Sequence, residues 1–259
     1  MTGVYATGAT GLRAQQARID TVANNLANAA TTGFKMARVD LVDLIQQPLE
    51  VARAGDGSEP ETDLGAGVAV GDVSRSFAPG GVVPTGNPLD LMILGPDSFF
   101  VVTTPDGQQR YTRDGHLRVD GAGQLVTAAG DRVMPAITVP PGANVTEVTQ
   151  EGRVLALLPG AAAPVEIGQL TLARFANPQG LAADGHNRFA ATAASGEPEI
   201  GTPGAGGLPT LMSGALEAAD VDLADQMTTL IEAQRAYTAN ARSIQALDEM
   251  VGLVIQTRS

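Results

Sequence analysis

"DLADQMTTLIEAQRAYTANARSIQALDEMVGLVIQ", Asp222 to Gln256, contains no proline and a single glycine, Gly252. Leu223, Met227, Leu230, Gln234, Tyr237, Ala241 and Ile244 recur at alternating steps of four and three. That spacing places them on one face of an α-helix. Leu247, Met250, Val251 and Val254 continue the apolar side. Asp222 is placed to cap the helix, and Asp225 adds negative charge in the first turn, where the dipole favours it. Such a helix would be about 50 Å long at ~1.5 Å per residue.

The other end of the chain repeats the pattern. Tyr5, Ala9, Leu12, Gln16, Ile19, Val22, Ala23 and Leu26 form one stripe, with Gln16 its polar member. Gly3, Gly8 and Gly11 weaken the first turns, so the helix is expected to be firm only from about Leu12. It runs into "ANNLANAATTGFK", Ala23 to Lys35. Here Asn24, Asn25 and Asn28 are expected to leave or cap the helix, and Gly33 offers a positive-φ turn.

Between the ends the periodicity changes. "FFVVTT", "QRYTRDGHLRV", "QLVTAAG", "AITVP", "GRVLALL" and "IGQLTLARF" are short alternating or β-branched runs. Turn sequences such as Pro105-Asp106-Gly107, Asp114-Gly115 and Asp120-Gly121 separate them, which predicts a β domain of hairpins. Gln46 to Gly67 has the Gly, Pro, Glu and Ser content of an extended linker. The fold class is therefore α+β. Residues 1–45 form an N-terminal helix and joint, 46–67 a linker, 68–214 a central all-β domain and 215–259 a C-terminal helix. Isolated helices are marginal in water. Steps averaging 3.5 favour helix on helix, so the two terminal helices are expected to form a coiled-coil-like layer.

Composition narrows the function. The 259 residues carry a net charge of −12, which argues against a nucleic-acid partner. There is no cysteine, hence no disulfide and no thiolate chemistry. The first residues lack the layout of a secretory signal, and no apolar run is long enough for a transmembrane helix; these rules alone would place the chain in the cytoplasm. His116 and His186 both lie in turn-containing stretches, and neither sits at ligand spacing with other donors. "GAGVAVG", Gly65 to Gly71, has the wrong glycine spacing for a dinucleotide loop. No catalytic residue, cofactor or metal site is expected, and the chain is not read as an enzyme.

Two terminal stretches carry a resemblance. "GLRAQQARIDTVANNLANAATTGFK", Gly11 to Lys35, resembles the N-terminal signature of the flagellar rod and hook protein family. "MSGALEAADVDLADQMTTLIEAQRAYTANARSIQALDEM", Met212 to Met250, resembles its C-terminal signature, most recognisably in Gln234 to Tyr237 followed by Asn240. Thr85 to Val102 and Tyr111 to Val133 are similar to the family's central β module. The stretch Ala163 to Leu181 looks most like its distal-rod branch. The resemblance is weakest over Gln46 to Gly67, where that branch carries a segment that locks neighbouring subunits.

The resemblance implies a structural subunit of the distal rod that polymerises into a helical tube and transmits motor torque to the hook. Its partners would be further copies of itself, proximal rod proteins, the hook protein, P- and L-ring proteins, the rod-cap protein and the flagellar type III export apparatus. It would leave the cell interior without a cleaved signal peptide and reside in the periplasmic rod of the basal body. Passage as an unfolded chain implies terminal helices that stay unpaired until assembly. Leu12, Ile19, Leu26, Leu230, Tyr237 and Ile244 are expected in the helix-on-helix core, each aliphatic contributing roughly 1.5–3 kcal/mol if buried on assembly. Asn24, Asn25, Asn28, Gly33, Phe34, Gln234, Arg235 and Asn240 complete the expected subunit interface. The alternatives are a proximal-rod sister protein, or a β-domain binding module with a coiled-coil dimer.

Overall fold

The computed structural model describes residues 2–45 and 65–256. Helix α1 spans Thr2–Ala27 and is followed by strand β1, Ala37–Ile45. The expected linker lies outside the described residues, except for Gly65 to Gly67, which open β2, Gly65–Arg75. Helix α2 spans Leu223–Gln256. Its start matches the expected cap: Asp222 Oδ1 accepts from the N–H groups of Ala224 at 2.8 Å and Asp225 at 3.2 Å.

The chain divides into two compact units. The first draws on α1, β1, most of β2 and α2. Here α1 contacts both α2 and β1, and β1 pairs with β2 in a two-stranded sheet. The helices run antiparallel, since partners descend along α2 as α1 ascends. Tyr5 hydrogen-bonds Asp248, which raises the phenol pKa above its ordinary value. Arg18 lies 3.8 Å from Glu232, and Asn25 Nδ2 donates to Gln226 Oε1 at 3.1 Å. A Cβ on Gly8 would come within 2.9 Å of Ile244, and one on Gly11 within 2.8 Å of Asn240. The glycines that weaken the helix in isolation thus permit close approach of its partner. This is why α1 runs from Thr2 instead of starting near Leu12. The single chain also pairs the two helices that the export argument expects to stay apart.

This packing turns each helix away from the expected register. Gly8, Gly11, Arg18 and Asn25 share the α1 face that meets α2. The apolar stripe through Leu12, Ile19 and Leu26 is rotated from it by roughly a quarter turn at ~3.6 residues per turn. All three remain half-buried, as do Leu230, Asn240 and Ile244 of α2.

The second unit comprises Asn28–Met36 and Arg75–Val221 and is built from antiparallel strands. In order these are β3 (Val82–Pro84), β4 (Leu91–Ile93), β5 (Ser98–Thr103), β6 (Gln109–Thr112), β7 (Leu117–Val119), β8 (Leu125–Thr127) and β9 (Arg132–Val133). There follow β10 (Asn144–Val148), β11 (Arg153–Leu157), β12 (Val165–Gln169), β13 (Leu172–Arg174), β14 (Ala182–Ala183), β15 (Arg188–Ala190), β16 (Glu199–Gly201), β17 (Leu211–Ser213) and β18 (Ala215–Glu217). The main sheet runs β14-β15-β6-β5-β9-β8-β7, with β13 pairing β5 and β16. β10-β11-β12 form a meander, and β4–β17 and β3–β18 form ribbons. Alternation along β5 divides the core: Phe100 joins an aliphatic cluster with Leu117, Leu125 and Val133, while Phe99 and Val101 join an aromatic cluster with Tyr111, Phe175 and Phe189. The expected strand at Ala136 to Pro140 reduces to one bridge, Gln124 to Thr138, although Ile137 and Val139 are buried.

Candidate assembly surface

The first candidate surface is the outward side of α2. Met227 is 55% and Ile231 50% exposed, and Leu223 is equally open. These three lie at steps of four, so they form one apolar row. Beside it runs a shallow groove lined by Ile231, Gln234, Arg235, Thr238, Ala239 and Arg242. Gln234 and Arg235, expected at an interface, therefore lie on the open side. Tyr237 is also exposed, at its edge.

The second is the joint, which divides between the two units. In the helical unit, α1 continues through Asn24 and Asn25 instead of ending there, because the Asn25 amide bonds to backbone beyond the helix. Its Nδ2 donates to Ala37 O at 2.7 Å, and Ala37 N–H donates back to Oδ1 at 2.9 Å. A primary amide presents the same donor–acceptor pair as a peptide group, so Asn25 takes the place of a strand neighbour where β1 begins. Asn25 and Ala37 are both buried, while Asn24 is exposed.

In the β unit, the residues after α1 are individually fastened. Asn28 O accepts from Thr31 N–H at 2.9 Å and its Oδ1 from the Thr31 hydroxyl at 3.2 Å. Gly33 has φ +65°, as expected, and its N–H donates to Glu217 O at 2.8 Å. A Cβ there would lie 2.7 Å from Asp114 N, so this backbone position excludes a side chain. Phe34 is buried, and its carbonyl accepts from Asp220 N–H at 3.1 Å.

Lys35, Glu217 and Arg113 form a buried triad that sequence reading did not single out. Lys35 Nζ donates to Glu217 Oε1 at 2.7 Å and to Ala78 O at 2.5 Å. Arg113 Nε donates to Glu217 Oε2 at 3.0 Å, and its NH1 to Ser98 O at 2.6 Å and Gly95 O at 2.9 Å. All three side chains are no more than 1% exposed. One carboxylate faces two cations. Burial pushes Glu217 up, but Arg113 and Lys35 outweigh it and hold the carboxyl below its ordinary range. Burial holds Lys35 below its ordinary value, against the pull of Glu217. The sequence signal was present: Lys35 ends the N-terminal signature and Glu217 stands in the C-terminal one.

Among the described residues no group of three or more His, Asp or Glu is placed to hold a metal ion. No described helix is long and apolar enough to cross a membrane. His116 Nδ1 lies 2.8 Å from Asp90 Oδ1, and His186 sits in a turn at φ +52°.

These features lie in segments shared with known proteins. Residues 6–35 match the family model "Flagella basal body rod protein". Residues 92–156 match "Flagellar hook protein FlgE/F/G D1 domain", and residues 212–257 match "Flagellar basal body rod FlgEFG protein C-terminal". The flagellar basal-body rod protein FlgG of Borreliella burgdorferi is 40% identical over 255 residues, covering 95% of each chain. That of Caulobacter vibrioides is 38% identical over 260 residues, covering 98% of each, and that of Bacillus subtilis 33% over 252 residues, covering 94% of each. Similarity of this extent runs through both signatures and the β unit between them, and the chain belongs to the FlgG family of flagellar basal-body rod proteins.

Proposed function

We propose that the chain is a structural subunit of the distal flagellar rod, polymerising into a helical tube that carries motor torque to the hook. The observation that carries this reading is the open apolar row of α2. Leu223, Met227 and Ile231 remain exposed although α1 already covers the other side of the helix. In a helical array one patch meets a different patch on the next copy, so growth continues without closure. The half-buried stripe of Leu12, Ile19 and Leu26 supplies a second patch of suitable chemistry. Antiparallel helices stacked in this way resist shear, which is the load a rod bears.

On this reading the subunit lies in the periplasmic part of the basal body and is exported through the flagellar type III apparatus without a cleaved signal. Proximal rod proteins precede it and the hook protein follows. P- and L-ring proteins surround it, and a rod-cap protein attends its assembly. The joint residues Asn24, Asn25, Asn28, Gly33 and Phe34 hold the chain course from which the contacts are made. Electron microscopy and sedimentation of concentrated full-length protein test the reading. Polar tubes are expected; one small species unchanged across concentration overturns it.

A further inference from the structure

The β unit carries an unpaired cationic row and, elsewhere, a cleft in which one carboxylate lacks a basic partner among the described residues. The first is a row across three strands. Arg118 of β7 stands opposite Val126 of β8, and Val126 opposite Arg132 of β9. Residues opposite one another share a face of the sheet. Two strand spacings put the arginines about 10 Å apart. Both are exposed, and neither forms an ion pair among the described residues. The aromatic cluster on this side draws on β5, β6, β13 and β15 and has no member on β7, β8 or β9. In a chain of net charge −12, two bare guanidinium groups flanking a half-buried valine make a local cationic surface.

The second surface is a cleft of about 340 Å³, walled by Asn28, Asp114, Ala129 and Asp131 and also by His186 and Arg188. Thr127 follows Val126 and Asp131 precedes Arg132, so alternation along the strands turns the cleft away from the arginine row. Asp131 is answered by Arg188, whose NH1 lies 3.0 Å away. Among the described residues Asp114 is answered by no lysine or arginine. Its Oδ1 accepts from the Thr32 hydroxyl at 3.0 Å and from His116 N–H at 3.1 Å. Burial raises this carboxyl above its ordinary range, and those two hydrogen bonds oppose the shift only in part. Thr112 donates its hydroxyl proton to Asn187 O at 2.8 Å and accepts from Asp114 N–H at 3.1 Å, so it holds the Asp114 backbone at the cleft wall.

We infer that the cleft of one copy receives Arg118 and Arg132 of the next, in a head-to-tail contact between β units. Charge selects this occupant: Asp131 is balanced by Arg188, which leaves the Asp114 carboxylate as the cleft's excess negative group, and the same chain displays two bare guanidinium groups. The two surfaces lie on opposite faces of the same strands. Each copy would present one face to each of two neighbours, the heterologous arrangement that propagates. The inference rests on the reading of the chain as a polymer subunit.

The chain has no cysteine, so single-cysteine variants report the contact. Full-length Val126→Cys, between the arginines, is mixed with full-length Ala129→Cys, in the cleft wall. The mixture is polymerised, pelleted and oxidised. A disulfide-linked dimer containing one of each variant is expected, and it should be lost when Arg118→Glu and Arg132→Glu are added to the Val126→Cys chain. Pelleted polymer without the mixed dimer overturns this contact and leaves the rod reading standing. Failure of the unsubstituted chain to pellet overturns both.

Discussion

Lys35 Nζ lies 2.7 Å from Glu217 Oε1, with both side chains shut off from solvent. The pair ties the residue that ends the N-terminal signature to one in the C-terminal signature, within the same β unit. Arg113 completes it from the loop between β6 and β7, donating from Nε at 3.0 Å and NH2 at 3.3 Å, and Gly80 N–H adds a fourth donor to the carboxylate at 2.9 Å. Removing the charge from Glu217 leaves two buried cations without an anion. Glu217→Gln is therefore expected to destabilise the β unit by about 3–5 kcal/mol, the usual cost of breaking a buried pair from one side. Urea denaturation of the full chain measures it. A loss below ~1 kcal/mol would show that water reaches the site on a small rearrangement.

The same carboxylate gives a pH dependence with a definite sign. Its folded pKa is depressed by Arg113 and Lys35. The unfolded chain, with glutamate near its ordinary value of ~4.3, binds a proton first as the pH falls. The stabilisation is therefore fully present above that value and is lost below it, as the pH passes through the lower folded pKa. Chemical denaturation at pH 7, 5 and 3 should show a drop confined to the last step. Glu217→Gln should flatten the part of that drop due to this group.

Gly33→Ala tests the turn that the signature glycine makes. At φ +65° a Cβ is strained, and it would sit 2.7 Å from Asp114 N and 2.9 Å from Arg113 C, both backbone. Backbone cannot swing aside as a long side chain can. A loss of about 1–3 kcal/mol is expected. It should exceed that of Gly130→Ala, which also has positive φ but no atom within 4 Å of the added Cβ.

How much of this was legible follows from distance along the chain. Helix α2 and its Asp222 cap could be read because a helix repeats its own pattern locally. The β5 to β8 hairpins could be read because their turns announce themselves. Strand β1 was absorbed into the joint, since its partner β2 begins only at Gly65 and "ARVDLVDLI" does not alternate cleanly. Asn24, Asn25 and Asn28 look alike in sequence. Which of them turns inward depends on how α1 is rotated, and the close approach at Gly8 and Gly11 sets that rotation. The triad joins residues at 35, 113 and 217, and no local pattern relates them.

Asn25→Ala removes a two-way bond between an amide and a peptide group. The Ala37 N–H is left buried and unsatisfied, along with its carbonyl and Gln226. One such orphan costs about 1–3 kcal/mol. The loss should fall on the helical unit, read as faster hydrogen exchange at Ala37 with little change in the strands of the β unit. Asn28→Ala removes one side-chain acceptor for Thr31 in a half-buried turn and should be milder. Equal effects from the two substitutions would mean that Asn25 is replaceable by water.

The exposed row of α2 separates folding from assembly. Met227 and Ile231 are half open in the single chain, so Met227→Ser and Ile231→Ser should change its stability by no more than ~0.5 kcal/mol each. If a second copy covers their open half, each loses roughly 0.8–1.5 kcal/mol of burial on assembly. At ~1.4 kcal/mol per factor of ten, the critical concentration for polymer should rise about 3- to 10-fold per substitution. Sedimentation across a dilution series measures it, alongside urea denaturation of the same proteins. A matched control is Leu230→Ser, which lies on the half-buried side of α2 and should lower the stability of the chain itself. Loss of stability at Met227 and Ile231 without loss of polymer would reverse the assignment of the two faces. Loss of polymer with stability intact places the subunit contact on the side of α2 that α1 leaves open.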